Sequence, residues 1–135
     1  MTPTEQQIEL KIQKGIRQAE DELVQWIQEA LDKTDSYGDL QDTQFRNLVR
    51  VADTTDSPEV IKNFLLYQVG RDKKWGKGKN SLAETIIKDI DSKIKAKAQE
   101  IAKESDNSEP KPIFLELIRR YLGYGARYLK YLNSK

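Results

Sequence analysis

The 135-residue sequence contains no cysteine and no histidine. These absences exclude disulfide bonds, thiol nucleophiles, imidazole bases and metal sites built from His or Cys, so any chemistry would use carboxylate, hydroxyl, lysine or tyrosine groups. No apolar run approaches the roughly 18 residues that a membrane-spanning helix needs, and the N-terminus has no hydrophobic signal-peptide region. We therefore expect no membrane association, and the lack of cysteine favours a cytoplasmic location.

The net charge is only +1, but it is distributed unevenly along the chain. Residues 1–60 contain six basic and thirteen acidic residues. Residues 70–79 contain five basic residues and one aspartate, and residues 111–135 contain six basic residues and one glutamate. A protein with such separated charge is suited to bind a polyanion or to stack on copies of itself.

Five segments show the three- and four-residue apolar spacing of amphipathic helices. The first extends over about 30 residues with Thr2 as its expected N-cap. The others are expected to begin near Asp42, Ser57, Ser81 and Pro112. The sequence predicts an all-α five-helix bundle, a single domain over residues 1–135, with a basic loop at 70–80 and a polar linker at 104–112.

The apolar stripes of these helices define the expected hydrophobic core. Its predicted members are Ile16, Leu23, Phe45, Leu48, Phe64, Leu65, Ile86, Ile90, Ile118 and Leu122. The last helix carries a leucine stripe beside a tyrosine stripe, and such tyrosines more commonly lie at the core boundary than on a binding surface. Gly123 and Gly125 weaken that helix, which suggests a kink or the close approach of another backbone.

The stretch YQVGRDKKWGKGKNS (67–81) does not match the phosphate-binding loops of nucleotide enzymes. A Walker A loop needs G-x-x-x-x-G-K-[ST] between a strand and a helix, and here the glycine spacing is one residue too long and the preceding segment is helical. A dinucleotide-binding pattern fails because Ser81 replaces its third glycine. The acidic turn at 32–42 lacks the end ligands of an EF-hand and is expected to be a solvated turn. We therefore expect no catalytic residue, no metal site and no cofactor.

The basic loop is better suited to nucleic acid. Its glycines permit close approach, its cations match phosphates, and Trp75 could stack on a base; the alternative is a solvated loop whose tryptophan packs on the bundle. Further arginines lie on the second and last helices. The candidate RNA-contacting residues are Arg46, Arg50, Arg71, Lys73, Lys74, Trp75, Lys77, Lys79, Arg119, Arg120 and Arg127.

Three stretches of the chain resemble the small all-α subunit of type III CRISPR–Cas effector complexes, the Csm-type small subunit and its Cmr-type relative. DTQFRNLVR (42–50) is similar to the T-x-Q-[LI]-R helix start of that family, and YQVGR (67–71) to its tyrosine–glycine–arginine element. FLELIRRYLGYGARYLKYL (114–132) is similar to its aromatic closing helix. Together the stretches span about ninety residues in the family's order.

The resemblance implies a non-catalytic subunit that stacks in several copies within an RNA-guided complex. Its basic residues would contact the backbone of the guide RNA–target RNA duplex, while other subunits would carry the nuclease and nucleotide-cyclising activities. A different class of protein also fits the sequence, namely a helical adaptor or antitoxin-like protein that binds one protein partner through the Tyr/Leu surface of its last helix. An enzyme that uses carboxylates such as Asp35 and Asp39 has no supporting motif.

Overall fold

Helices form most of the computed structural model, which describes residues 2–107 and 109–135. The described part contains no strand, and its α-helices are α1 (Glu5–Asp32), α2 (Asp42–Thr54), α3 (Pro58–Arg71), α4 (Leu82–Asp89), α5 (Lys95–Glu104) and α6 (Lys111–Asn133). A π turn, Ile90–Ile94, joins α4 to α5 as one rod, and a short 3₁₀ turn, Thr34–Ser36, follows α1. The prediction of an all-α bundle of five helical rods is confirmed.

The start of α1 differs from the prediction. Thr4 is the N-cap: its hydroxyl accepts a hydrogen bond from the Gln7 backbone N–H at 3.1 Å, and the Gln7 side chain accepts one from the Thr4 N–H at 2.9 Å. This reciprocal pair satisfies two N–H groups that the first turn leaves without helical partners. The expected cap at Thr2 is therefore wrong by two residues.

The connections between helices are slightly shorter than expected. α3 continues into the first residues of the loop predicted at 70–80, and α5 and α6 extend into the two ends of the linker predicted at 104–112. Ser108 of that linker lies outside the described residues, as does Met1. Helix ends are the least certain part of any sequence prediction, because fraying and capping shift them by one or two residues.

Helix α6 lies along both α1 and α2 in the centre of the bundle. Arg120 pairs with Glu20, and eight residues further along α6 the Tyr128 hydroxyl donates a hydrogen bond to Asp32, so α1 and α6 run parallel. The α4–α5 rod lies beside α1 in the opposite direction. α2 returns antiparallel to α6.

The core is one cluster to which every helix contributes. Nine of the ten residues predicted for it are buried. Phe64 is the exception: it is half-buried, and its ring packs edge-on against Tyr67 with 6.2 Å between ring centroids. α3 instead buries Ile61 and Leu65, so the prediction that Phe64 is a core residue is wrong. The large loss of stability expected on truncating a fully buried phenylalanine does not apply to it.

Close helix packing explains one of the two glycines in the middle of α6. A Cβ atom on Gly125 would lie 2.7 Å from Cζ of Phe45 and 2.8 Å from Cγ1 of Ile27, whereas one on Gly123 would meet nothing within 4 Å. Gly125 therefore lets α6 approach α1 and α2 at a distance that no other residue allows. Gly123 has no such role.

The two glycines offer a matched test of this packing. Gly123→Ala should stabilise the protein by about 0.4–1 kcal/mol, because alanine favours the helix and meets no neighbour. Gly125→Ala has the same helix-forming advantage but overpacks the core, so a net loss of about 1–3 kcal/mol is expected. Urea unfolding followed by circular dichroism would measure both values. Equal effects of the two substitutions would contradict the packing described.

Candidate nucleic-acid interface

The basic loop after α3 is anchored by Trp75. This side chain is only 1% exposed, and its ring lies 5.3 Å from that of Phe45 on α2. A ring held in the core is not available to a nucleic-acid base. The prediction that Trp75 contacts RNA is therefore wrong, and the alternative in which it packs on the bundle is correct.

Backbone hydrogen bonds fix the loop on both sides of this anchor. The Gly38 N–H donates to the Lys74 carbonyl at 3.0 Å, and the Ala83 N–H donates to the Trp75 carbonyl at 3.2 Å. The carboxylate of Asp72 accepts a bond from the Lys74 N–H at 2.9 Å. The only acidic side chain of the loop is thus used to hold the backbone rather than to neutralise a lysine.

Gly76 allows the loop to lie directly on the turn that follows α1. Its φ is +79°, which favours glycine, and a Cβ atom at this position would collide with the carbonyl oxygen of Ser36. The lysines on either side are thereby presented from a backbone packed against the bundle. The glycine is a structural requirement of the loop.

The cations of the loop remain largely exposed. Four of the five cations at 71–79 are exposed, and we call these four the loop patch: Arg71, Lys73, Lys77 and Lys79. The fifth, Lys74, is half-buried. None of these five forms an ion pair with a residue in the described part of the chain. Three of the lysines line a groove of about 500 Å³ together with Asn80 and the turn at 35–38. The patch is a concentration of unneutralised positive charge beside a groove.

Two further candidate arginines lie on α2. Arg46 directly follows Phe45; its side chain is 58% exposed, and its guanidinium lies 3.5 Å from the Asp42 carboxylate. Arg50, one turn later on the same side, is exposed and donates a hydrogen bond to the Asn47 side chain at 3.0 Å. Because both arginine side chains are exposed, these contacts contribute little to stability.

Arg119 has a structural task that the sequence did not indicate. Its Nε donates to the Ala52 carbonyl at 2.8 Å, and a terminal nitrogen donates to the Thr55 carbonyl at 2.9 Å and lies 3.6 Å from Asp56. These carbonyls are at the C-terminal end of α2, where no helical N–H is available to them. Arg119 is therefore a cap for α2, which corrects its assignment as an RNA contact.

The other two arginines of α6 differ from each other. Arg120 is half-buried between Glu20, at 2.6 Å, and Glu116, at 3.4 Å, so its charge is neutralised within the molecule. Arg127 is exposed, with its guanidinium carbon 6.0 Å from the centroid of the Tyr124 ring. Of the two, only Arg127 presents its charge to solvent.

The tyrosine and leucine stripes of α6 face the interior. The three leucines and one isoleucine at 115, 118, 122 and 129 are buried, Tyr121 is fully buried, and Tyr124 and Tyr128 pack against the core. Tyr131 is the tyrosine of this helix that is largely exposed, at 55%. The Tyr/Leu surface on which the adaptor alternative depends is therefore mostly inside the molecule.

The acidic turn carries the two carboxylates of the enzyme alternative, and both are exposed. Asp39 accepts a hydrogen bond from the Gln41 side chain at 2.7 Å, and Asp35 borders the groove beside the loop patch. In residues 2–107 and 109–135 no group of three or more Asp or Glu side chains is placed to hold a metal ion.

Comparison with known proteins does not assign this arrangement: no family model, curated protein or solved structure matches the chain. Within the described residues, no helix combines the length and apolar character needed to cross a bilayer.

A buried polar pair at the π turn was not anticipated from the sequence. Asp89 is 6% exposed and accepts a hydrogen bond from the fully buried Tyr121 hydroxyl at 2.7 Å. Burial raises the pKa of Asp89 above its ordinary value, although the Tyr121 hydrogen bond and nearby Lys93 act in the opposite direction. The signal was present, because Asp89 lies three residues after Ile86 and therefore on the buried side of α4.

The Trp75 anchor should be one of the strongest single contacts in the protein. Trp75→Ala is expected to lower the free energy of unfolding by about 3–5 kcal/mol, as for other fully buried large side chains. Trp26→Ala is the matched control. Because Trp26 is half-buried, its truncation should lower the free energy of unfolding clearly less. Denaturant unfolding would compare them. A loss for Trp75→Ala no greater than that for Trp26→Ala would show that the loop is not anchored in this way.

The Asp89–Tyr121 pair should make stability depend on pH. The pKa of the Asp89 carboxyl is raised on folding, so the native protein holds this proton more tightly than the unfolded chain does. The stability that this gives is lost as pH rises from about 4 through the folded pKa of Asp89. Asp89→Asn keeps an acceptor for Tyr121 and removes this titration. The melting temperature of the variant, relative to the parent protein, should therefore increase with pH over this range.

Parallel pH profiles of the parent protein and Asp89→Asn would contradict the assigned shift. Tyr121→Phe serves as the second variant, because it leaves the buried carboxylate without its hydrogen-bond donor. A loss of about 1–3 kcal/mol near neutral pH is expected.

Proposed function

We propose that this protein is a non-catalytic subunit of a type III CRISPR RNA-guided complex in the cytoplasm and that its loop patch contacts RNA backbone. The observation that carries the proposal is the set of five cations at 71–79, which are held on an anchored loop without acidic partners in the described structure. Elsewhere in the bundle, cations such as Lys62, Lys97 and Arg120 are each held by two carboxylates. The loop differs in density, because five cations without an ion pair in the described part of the chain lie within nine residues, at 71–79.

Lysine and arginine on an anchored backbone suit phosphate better than base edges. Phosphate contacts position a protein on nucleic acid without reading its sequence, and they release counterions on binding. The groove beside Lys73, Lys77 and Lys79 provides a place where successive phosphates could lie. Arg46 and Arg50 on α2, and Arg127 on α6, are the exposed arginines that complete the proposed contact set.

The first and third of the resembling stretches pack together at Phe45. A Cβ atom on Gly125 of α6 would lie 2.7 Å from the Phe45 ring, and the centroid of the Trp75 ring, four residues after the second stretch, lies 5.3 Å from that of Phe45. This packing connects α2 and α6 to the basic loop.

The proposed partners are the guide RNA, the target RNA, other subunits of the complex and further copies of this chain. Stacking of copies rests on the resemblance and on the separation of acidic and basic regions along the chain. Part of that acidity acts within the molecule, since Glu20 pairs with Arg120 and Glu22 with Lys97. The exposed acids of the 32–39 turn and the loop patch are the remaining charged surfaces for such contacts.

Neutralising two loop lysines should weaken RNA binding in a recognisable way. Lys77→Gln/Lys79→Gln should reduce the slope of log affinity against log salt by about two units, one for each lost phosphate contact. The loss should be similar for unrelated RNA sequences. Fluorescence anisotropy with labelled guide–target duplexes over a salt series would measure it.

The matched control removes the same charge from another part of the surface. Lys95 and Lys103 are exposed on α5, which packs beside α1 between Lys11 and Glu22, whereas the loop lies on the turn that follows α1. Lys95→Gln/Lys103→Gln should leave the slope unchanged. If the two double variants lost affinity equally, binding would reflect net charge alone and the proposed interface would be rejected.

A further inference from the structure

Helix α3 exposes apolar side chains on the side that faces away from the core. Val60 is 46% exposed, Leu66 51% and Tyr67 60%, and Phe64 is half-buried beside them. Most helices of this bundle have one apolar side, whereas α3 is apolar on both. An exposed tyrosine beside a half-buried phenylalanine suits a ligand with an apolar or aromatic part.

A row of side chains on α3 leads into the loop patch and consists of Phe64, Tyr67 and Arg71; we call it the ladder. The rings of Phe64 and Tyr67 meet edge-to-face with centroids 6.2 Å apart, and the guanidinium carbon of Arg71 lies 5.8 Å from the Tyr67 centroid. The spacing of three and four residues places them in a row along α3. Arg71 belongs both to this ladder and to the loop patch.

We propose that Tyr67 stacks on an unpaired base of an RNA strand whose phosphates lie on the loop patch. The inference rests on the proposed function and adds a second kind of contact to it. An aromatic platform beside a row of cations is the general arrangement by which proteins hold single-stranded nucleic acid without reading its sequence. Tyr67 also has the aromatic role that was first expected of Trp75, whose ring is inaccessible.

A second exposed tyrosine shows why the surrounding charge matters. Tyr131 is 55% exposed, and the Lys135 ammonium lies 5.0 Å from its ring centroid, so its local geometry resembles that of Tyr67. Its aromatic neighbour Tyr128, however, donates a hydrogen bond to Asp32, and that bond raises the pKa of Tyr128 to about 12. A carboxylate beside the pair repels phosphate, whereas the Tyr67 ladder continues into a segment in which cations outnumber acids by five to one.

The test compares RNA with and without bases. The parent protein should bind oligouridine more tightly than an abasic ribose-phosphate chain of equal length, because the abasic chain keeps the phosphates and removes the stacking partner. Tyr67→Ala should weaken oligouridine binding by about 5-fold to 100-fold and leave abasic binding unchanged. Tyr67→Phe keeps the ring and should behave as the parent protein. Tyr131→Ala is the matched control and should have no effect.

Salt dependence separates this contact from those of the lysines. Stacking involves no counterion, so Tyr67→Ala should lower oligouridine affinity at every salt concentration without changing the slope, unlike Lys77→Gln/Lys79→Gln. Equal binding of oligouridine by Tyr67→Ala and the parent protein would overturn the inference and leave the loop patch intact. Failure of the parent protein to bind either single-stranded chain would also overturn the inference, whereas the proposed function is overturned only if guide–target duplexes also fail to bind in a salt-dependent way.

Discussion

The missing side chain at Gly125 is the constraint on which the rest of the structure depends. Because a methyl group there would lie 2.7 Å from the Phe45 ring, only glycine leaves room for α2 to seat this ring against α6. The same ring also packs against Trp75, and Trp75 holds the basic loop. A close helix contact in the core thus determines where the positive charge of the surface is presented.

Helix positions and most of the core follow from the sequence because the spacing of apolar residues and the residues that cap a helix are local features of the chain. The first helix has 28 residues where about 30 were expected, and the stripes through Leu23, Leu48, Ile86 and Ile118 are buried as predicted. α3 was not resolved in this way, because it carries apolar residues on two sides and their spacing does not show which side is buried. Phe64 was therefore assigned to the core although Ile61 and Leu65 occupy it. The π turn also has no local signature in the apolar spacing.

The candidate interface was predictable as a region but not residue by residue. Clustered lysines mark a basic surface, and the exposure of Lys73, Lys77 and Lys79 agrees with that expectation. The role of Trp75 depends on Phe45, thirty residues earlier, and that of Arg119 depends on carbonyl groups more than sixty residues earlier. Neither partner can be found from local spacing. An aromatic or arginine residue in a basic segment has the same sequence pattern whether it binds a ligand or stabilises the fold.

The energies involved explain why a charged loop needs such an anchor. Two cations about 8 Å apart in water repel each other by about 0.5 kcal/mol before salt screening, so the loop cations together oppose a compact loop by at most a few kcal/mol. Burying a tryptophan contributes about 3–5 kcal/mol, judged from the cost of truncating such side chains, and is therefore large enough to offset this repulsion. Ion pairs with nearby acids would also relieve it, but they would neutralise the charge. An apolar anchor stabilises the loop and leaves its cations unpaired, which is the condition that binding a polyanion requires.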